Sequence, residues 1–348
     1  MNILITGNMG YVGPAVSARL RKSYPNSLLT GVDIGYFAHC LTAPSMFPEC
    51  RLNTQHFMDV RDITPEVLKG VDAIVHLAAI SNDPMGNKFE DVTIRINMEA
   101  TLNLANKAKK AGVKNFVFAS SCSMYGSAED GERTEASPLN PLTAYAKSKV
   151  LSEEGLSKLA DEEFKVTSLR FATACGMSER LRLDLVVNDF VAAAVSQKKI
   201  NILSDGTPWR PLIHIRDMAR AIDWAIGRSP RDGGEFLALN AGSNAWNYQV
   251  KDLADIVAKL IPGVEISIDA NAQPDKRSYR VNFDMFKSLA PDHQPMEDME
   301  STITELKEGL EAMNFNDKNF RNSHFMRLKV LEHLMSEGLL SKDLSWKM

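Results

Sequence analysis

Short apolar runs alternate with stretches of helical periodicity along the first half of the chain. The apolar runs predict buried strands at Met1–Thr6, Ser27–Asp33, Thr54–Val60, Ala73–Ala79, Phe116–Ser121 and Lys165–Arg170. Apolar positions at helical spacing predict helices at Pro14–Leu20, Asp91–Ala111 and Thr143–Leu159. Strands and helices that alternate in this way are typical of βαβ units, so this half of the chain predicts a parallel sheet.

From about Phe171 this alternation stops. The second half has a predicted helix that opens at Arg180–Val187 and runs to Gln197, then shorter elements and a charged, largely helical tail over Ser301–Ser336. Because these segments lack an alternating core of their own, they predict a smaller lobe packed on the first. The expected division is 1–170 for the sheet domain, with later strands returning to it, 171–300 mainly for the second lobe, and 301–348 for a helical C-terminal extension.

One helix of the extension is predicted to be amphipathic. Its apolar positions are Leu328, Leu331, Leu334 and Met335. We expect this helix to pack on the second lobe or on a partner subunit.

Composition narrows the class of protein. The 348 residues include 44% hydrophobic and 24% charged residues, with a net charge of −4 and no cluster of basic residues, so nucleic acid and membranes are not expected partners. No apolar segment reaches the ~18 residues that span a bilayer, and the N-terminus lacks the features of a signal peptide. The four cysteines form no metal-binding or disulfide pattern, so we expect a cytoplasmic protein without a metal site.

A glycine-rich turn follows the first strand. Its sequence is Gly7-Asn8-Met9-Gly10-Tyr11-Val12-Gly13, and helical spacing begins directly after it. A strand, a glycine turn and a helix in this order point backbone N–H groups at a pyrophosphate. The same spacing also fits a tight turn in any α/β protein, so the turn alone leaves both interpretations open.

The ends of the next three strands favour a nucleotide site. Asp33 lies about 20 residues beyond the last glycine, where an acid binds the ribose hydroxyls of NAD and repels the 2′-phosphate of NADP. Asp59 and Val60 end the third strand, where they suit the adenine amino group and ring. Leu77-Ala78-Ala79 ends the fourth strand with small residues that permit close approach of the cofactor. Together these residues predict an NAD site.

A candidate catalytic pair lies in the predicted helix Thr143–Leu159. Tyr145 and Lys149 are four residues apart and share a helix face, where an ammonium group favours the phenolate and lowers the tyrosine pKa. An isolated pair with this spacing is usually a surface feature. Here Ser120–Gly126 closes the preceding strand at the carboxyl edge of the sheet, where ligands bind, so we interpret Tyr145 as a base for a sugar hydroxyl.

These motifs together resemble the extended short-chain dehydrogenase/reductases, specifically the nucleotide-sugar epimerase/dehydratase family. The similarity runs from Met1 to about Asp284 and includes Asn97 with Thr101, Leu169-Arg170-Phe171, and Gly206–Asp217. It implies an α/β fold: a Rossmann-type doubly wound parallel sheet that binds NAD, with a smaller C-terminal substrate-binding lobe for a nucleotide-sugar.

The resemblance also implies roles for individual residues. Tyr145 removes a proton from the substrate hydroxyl as hydride leaves carbon 4 for NAD, Lys149 binds the nicotinamide ribose, and Ser121 bridges the substrate oxygen and Tyr145. Asn97 supports the cofactor from the long helix. The cofactor-binding set is completed by Gly7, Gly10, Tyr11, Val12, Gly13, Asp33, Asp59, Val60, Leu77, Ala78 and Ala79.

The resemblance also indicates residues that would contact the substrate. Asn188 matches an amide that meets the substrate diphosphate, and Arg210 matches an arginine that grips it. Arg277 is either a second such arginine or a solvated surface residue. Ser81 lies in an expected substrate loop, and Thr173 stands where many relatives have an asparagine.

One departure from the family narrows the reaction. Sugar 4,6-dehydratases carry an Asp-Glu pair directly after the catalytic Ser or Thr, and Cys122 and Ser123 occupy those positions here. Without these carboxylates a standard 4,6-dehydration is not expected. Cys122 is either a proton donor or, as we prefer, a small buried side chain, and Ser123 is a candidate substrate contact.

The leading hypothesis is therefore an NAD-dependent nucleotide-sugar epimerase that oxidises sugar carbon 4 transiently. The alternatives are an atypical dehydratase that uses Cys122 as the acid, a 4-keto-sugar reductase, and a non-catalytic nucleotide-binding protein. The resemblance further implies a homodimer, in which the helices Asp91–Ala111 and Thr143–Leu159 of two subunits form a four-helix bundle. Burial in the core of a single subunit explains the same apolar positions.

Overall fold

The computed structural model describes residues 1–42, 45–127, 131–268 and 277–347. The strands are β1 Asn2–Thr6, β2 Leu28–Asp33, β3 Thr54–Phe57, β4 Ala73–His76, β5 Asn115–Ser121, β6 Glu132–Arg133, β7 Lys165–Phe171, β8 Thr173–Cys175, β9 Lys199–Ile202, β10 Trp209–His214, β11 Phe236–Ala241, β12 Asn247–Gln249, β13 Glu265–Ile268 and β14 Arg280–Val281. The helices are α1 Gly13–Ser23, α2 Asp83–Lys88, α3 Glu90–Ile94, α4 Ala100–Lys110, α5 Ala144–Ser157, α6 Val186–Gln197, α7 Ile215–Gly227, α8 Val250–Leu260, α9 Asp284–Leu289, α10 Met299–Ala312 and α11 Arg327–Ser336.

A seven-stranded parallel sheet forms the centre of the molecule, as the apolar pattern predicts. The strand order is β11-β7-β5-β4-β1-β2-β3, so β1 pairs with β2 on one side and with β4 on the other. The chain therefore reverses its direction of winding at β1, and this reversal opens a crevice at the carboxyl ends of β1 and β4. The glycine turn lies directly at this crevice, because it follows β1.

Two element boundaries differ from the sequence prediction. Strand β3 ends at Phe57, and Asp59 instead begins a short 3₁₀ turn over Val60–Asp62, where its side chain accepts a hydrogen bond from the Arg61 N–H. Helix α6 begins only at Val186. The preceding segment is not helical: Leu185 has extended backbone angles. Arg180 to Leu183 are all buried, and ion pairs with Glu49 and Asp184 hold the two arginines inside the protein.

The long helix predicted over Asp91–Ala111 is interrupted in its first half. A π-helical segment over Arg95–Glu99 joins α3 to α4, and it contains Asn97. Such segments are rare and occur frequently at functional sites. The interruption places Asn97 toward the loop after β4, where its contacts are described below.

The C-terminal extension packs on the parallel sheet domain. Val330, Leu331 and Leu334 of α11 belong to the same buried cluster as Leu4 of β1 and Val32 of β2. The expectation that this helix packs on the second lobe or on a partner is therefore wrong, because its apolar positions are covered by the sheet domain of its own chain. Within the described ranges, no helix combines the length and the apolar character needed to cross a membrane.

Candidate active site

A cavity of about 1020 Å³ occupies the crevice at the carboxyl edge of the sheet. The glycine turn and the segments after β2, β4 and β5 line it, together with α5 and residues of the second half of the chain. Ligand sites of α/β proteins lie at such crevices. This position makes the cavity the candidate active site.

The glycine turn has room only for glycine at its closely packed positions. Gly7 has a φ of +74°, and a Cβ on it would lie 2.6 Å from the Ala78 backbone nitrogen. A Cβ on Gly13 would lie 2.0 Å from the Asn8 carbonyl oxygen. Gly10 lines the cavity, and a Cβ there would meet only the Gly7 oxygen within 4 Å. The turn therefore leaves an open backbone cradle of the kind that a pyrophosphate fills.

Asp33 lies beside this cradle and is held by the backbone. Its two carboxylate oxygens accept hydrogen bonds from the Met9 N–H at 2.9 Å and the Gly35 N–H at 2.8 Å. Burial raises the pKa of Asp33, and these backbone hydrogen bonds oppose that change. Each oxygen retains acceptor capacity for a ribose hydroxyl, so the residues fit NAD.

The remaining predicted adenosine contacts also line the cavity: Asp59, Val60, Leu77, Ala78 and Ala79. Asp59 is already paired with Arg61 at 2.5 Å. Its carboxylate is therefore oriented by the chain itself.

Tyr145 and Lys149 project from α5 into the same cavity. The helix is capped by Thr143, whose hydroxyl oxygen accepts a hydrogen bond from the Ala146 N–H at 3.2 Å. The Lys149 Nζ donates to the Ala119 carbonyl at 2.6 Å and lies 5.6 Å from the centroid of the Tyr145 ring. The helix spacing thus brings both side chains to the end of β5, as the sequence predicts.

Burial controls the ionisation of both groups. It lowers the pKa of Lys149 to about 7, which the Glu153 carboxylate partly opposes. It raises the pKa of Tyr145 to about 12, although a hydrogen bond with Ser121 acts in the opposite direction. The expected lowering of the Tyr145 pKa is therefore not observed, because loss of solvent around the phenol outweighs its favourable contacts.

Three serines, Ser120, Ser121 and Ser123, lie at the end of β5 and just after it. Ser121 accepts a hydrogen bond from the Ser123 N–H at 3.1 Å and lines the cavity. Ser120 and Ser123 also line it, and their buried hydroxyl oxygens have no hydrogen-bond partner among the described residues. Because buried hydroxyl groups are normally paired, these two indicate a polar ligand.

The proposed acid role of Cys122 does not agree with its position. Its side chain is 1% exposed, and its thiol donates to the Arg170 carbonyl at 3.0 Å. The residue is not among those that line the described part of the cavity, and burial raises its pKa far above the ordinary thiol value. Cys122 therefore has the small buried role that we preferred, rather than that of a proton donor.

Asn97 and Asn188 are also buried behind the cavity wall rather than on it. The Asn97 amide accepts from the Ile80 N–H at 2.8 Å and donates to the Ile80 carbonyl at 2.9 Å. The Asn188 amide donates to the Tyr11 hydroxyl at 3.0 Å and to the Arg182 carbonyl at 2.9 Å. Asn97 thus supports the loop after β4. Asn188 supports the glycine turn, and the expectation that it meets the substrate is not met, because both of its amide atoms already bond to protein groups.

The other predicted substrate contacts line the cavity: Ser81, Thr173, Arg210 and Arg277. Arg277 pairs with Asp83 at 2.7 Å, and Asp83 also accepts from the hydroxyl of Thr143 at 2.7 Å. Arg277 is therefore linked to the start of α5, while its side chain remains 45% exposed. Arg210 donates to the Arg277 carbonyl oxygen, which joins the two arginines.

Several cavity residues escaped the sequence interpretation. Arg182 pairs with Asp184 at 2.6 Å and donates to the Ser81 hydroxyl at 2.9 Å, and both arginine and aspartate line the cavity. Arg321 and Arg327 reach it from the C-terminal extension. The alternation of arginine and leucine from Arg180 to Leu183 was an available signal for Arg182, but nothing local predicts the other two.

A parallel sheet with a glycine cradle at its point of reversal, and a Tyr-x-x-x-Lys helix beside that cradle, defines an extended short-chain dehydrogenase/reductase. Residues 3–242 match the NAD dependent epimerase/dehydratase family. The chain therefore belongs to the NAD-dependent epimerase/dehydratase family, and its cofactor is NAD.

Known relatives include more than one type of reaction. The chain is 28% identical over 270 residues to an uncharacterized UDP-glucose epimerase of Bacillus subtilis (strain 168), which covers 74% of this chain and 82% of that protein. Its fold is similar to that of TunA, an NAD-dependent NDP-hexosamine 5,6-dehydratase, with a TM-score of 0.78, 23% identity and coverage of 91% and 99% of the two chains. It is also similar to MoeE5 in complex with UDP-glucuronic acid and NAD, with a TM-score of 0.76, 24% identity and coverage of 90% and 99%.

Proposed function

We propose that the protein is a nucleotide-sugar epimerase that inverts carbon 4 of the sugar through transient oxidation. The observation that carries this proposal is the convergence of Tyr145, Lys149 and Ser121 on one cavity together with the glycine cradle. A protein that only binds a nucleotide does not need a phenol, an ammonium group and a hydroxyl at the same position. The similarity to a UDP-glucose epimerase supports the same reaction class.

When bound, NAD supplies the acceptor for the hydride that leaves carbon 4 and the donor that returns it. Tyr145 takes the proton of the carbon-4 hydroxyl at its phenolic oxygen, and Ser121 positions the substrate oxygen beside it. Because the pKa of Tyr145 is about 12 in the protein alone, it needs nearby positive charge to act as a base near neutral pH. Lys149, whose Nζ lies 5.6 Å from the centroid of the Tyr145 ring, would supply such charge when protonated, and bound NAD in its oxidised form would add to it.

The carboxylates of the cavity favour an epimerase over a dehydratase. Loss of water needs an acid and a base beside the sugar, in addition to Tyr145. In the described part of the cavity every carboxylate already accepts a hydrogen bond from a backbone N–H or an arginine: Asp33 from Met9 and Gly35, Asp59 from Arg61, Asp83 from Arg277, Asp184 from Arg182, and Asp189 from Arg321. We therefore infer that none of them is placed as a free acid or base.

One observation supports dehydration as the second candidate. Asp83 lines the cavity, and its negative charge raises the pKa of Tyr145. A dehydratase of this chain would have to free Asp83 from its ion pair with Arg277 to use it as an additional acid–base group, because Cys122 does not line the described part of the cavity. Detection of a product that has lost water, together with its loss in an Asp83→Asn variant, would favour this candidate.

The substrate diphosphate is proposed to bind Arg210 and Arg277, because guanidinium groups pair with phosphate through two hydrogen bonds. The sugar is proposed to contact Ser81, Ser123 and Thr173. The unpaired hydroxyl of Ser123 supports this arrangement, since a sugar hydroxyl would satisfy it.

We also propose the assembly and location implied by the family. The dimer would use α5 together with α3 and α4. Leu151 of α5 is 41% exposed, which supports an apolar contact with a partner subunit at this position. A reducing cytoplasm is consistent with the free thiols of Cys40, Cys50, Cys122 and Cys175.

Tyr145→Phe tests the catalytic assignment. We expect turnover to fall by about a hundredfold or more, as for loss of general acid–base catalysis, while NAD remains bound because the helix is unchanged. Turnover is measured by nuclear magnetic resonance of UDP-, GDP-, CDP- and dTDP-sugars, and NAD content by absorbance of the released cofactor. Tyr248→Phe is the control, because Tyr248 does not line the described part of the cavity. Unchanged turnover in Tyr145→Phe would contradict the assignment.

A further inference from the structure

The C-terminal extension places a buried arginine in the wall of the cavity. Arg327, the first residue of α11, lines the cavity and is 1% exposed. Its guanidinium carbon lies 4.7 Å from the centroid of the Phe37 ring, and its Nη2 donates to the Arg180 carbonyl at 2.8 Å. Its Nη1 is buried and has no hydrogen-bond partner among the described residues.

The charge of Arg327 is not neutralised by the chain. Neighbouring Arg180 pairs with Glu49 at 2.6 Å, and Arg182 pairs with Asp184 at 2.6 Å. No carboxylate of the described ranges forms an ion pair with Arg327, and burial lowers its pKa to about 10, so it remains a cation at neutral pH. A buried cation with an unpaired N–H group is unfavourable, and an anion beside it would relieve that cost.

The contacts of Arg327 indicate which anion would bind beside it. Phe37 lies on the loop that follows β2 and its last residue Asp33, the predicted ribose-binding acid. Arg180 is two residues from Ser178, whose hydroxyl donates to the Tyr11 carbonyl of the glycine turn at 2.7 Å. Arg327 therefore lies between the ribose end of the cofactor site and the glycine cradle. In a dinucleotide bound across such a turn, the diphosphate occupies this position.

We infer that Arg327 binds the diphosphate of NAD through its Nη1 and so completes the cofactor site from the C-terminal extension. The glycine turn offers backbone N–H groups on one side, and the extension offers a guanidinium on the other. The extension is attached to the same loop by two further contacts. Trp346 donates to the Ile34 carbonyl at 2.8 Å, and the Tyr36 hydroxyl donates to the Leu344 carbonyl. The inference concerns the cofactor and is independent of which sugar reaction the enzyme performs.

Arg327→Met in the full-length protein tests this inference. The affinities for NAD, ADP and adenosine are measured by calorimetry, and the rate of NAD release is measured from the holoenzyme. We expect binding of NAD and ADP to weaken about tenfold or more, because a hydrogen bond from a charged donor is lost. Adenosine, which has no phosphate, should bind as before, and NAD should be released faster.

Two further variants keep the test decisive. Arg327→Lys retains the charge but not the planar donor group, so it should show a smaller loss for NAD and ADP, and it serves if Arg327→Met does not fold. Lys329→Met removes a positive charge from the same helix, where Lys329 pairs with Glu332 at 3.0 Å, and should bind all three ligands normally.

Two results would overturn the inference. Unchanged NAD and ADP affinity in both Arg327 variants would show that no diphosphate contact exists. An equal loss for adenosine would show that Arg327 only holds the shape of the pocket.

Discussion

At the scale of single residues, Lys149 offers a direct test of how burial changes the ionisation of a side chain. It is buried against the Phe118 ring, with Nζ 4.6 Å from the ring centroid, and its pKa is lowered from 10.5 to about 7. The unfolded chain therefore binds more protons than the native protein between pH 7 and 10.5. Stability should rise with pH across that window and be lowest below pH 7, where the charged amine is buried.

Lys149→Met in protein freed of NAD measures this cost. Methionine does not titrate, so the variant should be more stable than the wild type near pH 6, and this advantage should shrink between pH 7 and 10. The change is at most about 1.4 kcal/mol per pH unit. Urea unfolding at pH 6 and pH 9.5 gives the two differences. Lys147→Met is the matched control, since Lys147 is exposed on the same helix and should show no such dependence. A constant difference between Lys149→Met and wild type at both pH values would contradict the assigned burial.

Sequence reasoning identified residues whose signals are local. Gly7, Gly10 and Gly13 follow from the conformation of one turn, and Tyr145 with Lys149 follows from one helical spacing. Arg327 could not be found in this way, because its contact with Phe37 depends on how the extension folds back over the sheet. The predicted direction of the change in the Tyr145 pKa was wrong for a similar reason. Helical spacing indicates a neighbouring charge but not how deeply the phenol is buried.

At the scale of elements, helix α5 is fixed to the sheet by a buried ion pair. Glu153 lies one turn after Lys149 and pairs with Arg170 of β7 at 2.7 Å, with both side chains largely inaccessible to solvent. The Ser168 hydroxyl also donates to Glu153 at 2.7 Å. The pair therefore sets the position of the helix that carries Tyr145.

Glu153→Gln should destabilise the protein by about 3–5 kcal/mol, because it leaves the Arg170 guanidinium buried without its charge partner. The free energy of unfolding in urea measures the effect. Glu154→Gln, at the exposed neighbouring position, should change it by less than about 0.5 kcal/mol. Equal effects of the two substitutions would argue against the anchoring role.

The order of the elements could be read from the apolar pattern, whereas their ends could not. The parallel strands β1, β2, β4, β5 and β7 follow from continuous buried runs. The end of β3 and the start of α6 depend instead on side-chain contacts, as at Asp59 and Arg182. The spacing of apolar residues over a few positions therefore does not show where these elements begin or end.

At the scale of the whole molecule, the proposed dimer makes a specific prediction about Leu151. If α5 packs against its copy in a partner subunit, Leu151→Lys places a charge in an apolar interface and should convert the dimer to a monomer. Light scattering coupled to size-exclusion chromatography measures the mass. Leu28→Lys is the control, because Leu28 is 53% exposed at the start of β2 and away from the proposed bundle. A monomeric wild type, or a Leu151→Lys variant that remains a dimer, would contradict the proposal.

The whole molecule thus joins four segments of the chain at one cavity. The sheet domain contributes the glycine cradle and Asp33, α5 contributes Tyr145 and Lys149, and the second half contributes Arg210 and Arg277. The extension adds Arg327 to the wall of the same cavity. This distribution explains why the cofactor could be predicted from the sequence, while the base and the sugar of the substrate could not.

Product analysis tests the central claim most directly. The purified enzyme is incubated with each nucleotide-sugar in deuterated water, and the products are followed by nuclear magnetic resonance and mass spectrometry. The proposed epimerase should give an isomer of the substrate inverted at carbon 4, with unchanged mass. A product that is lighter by one water molecule would contradict it and identify the enzyme as a dehydratase.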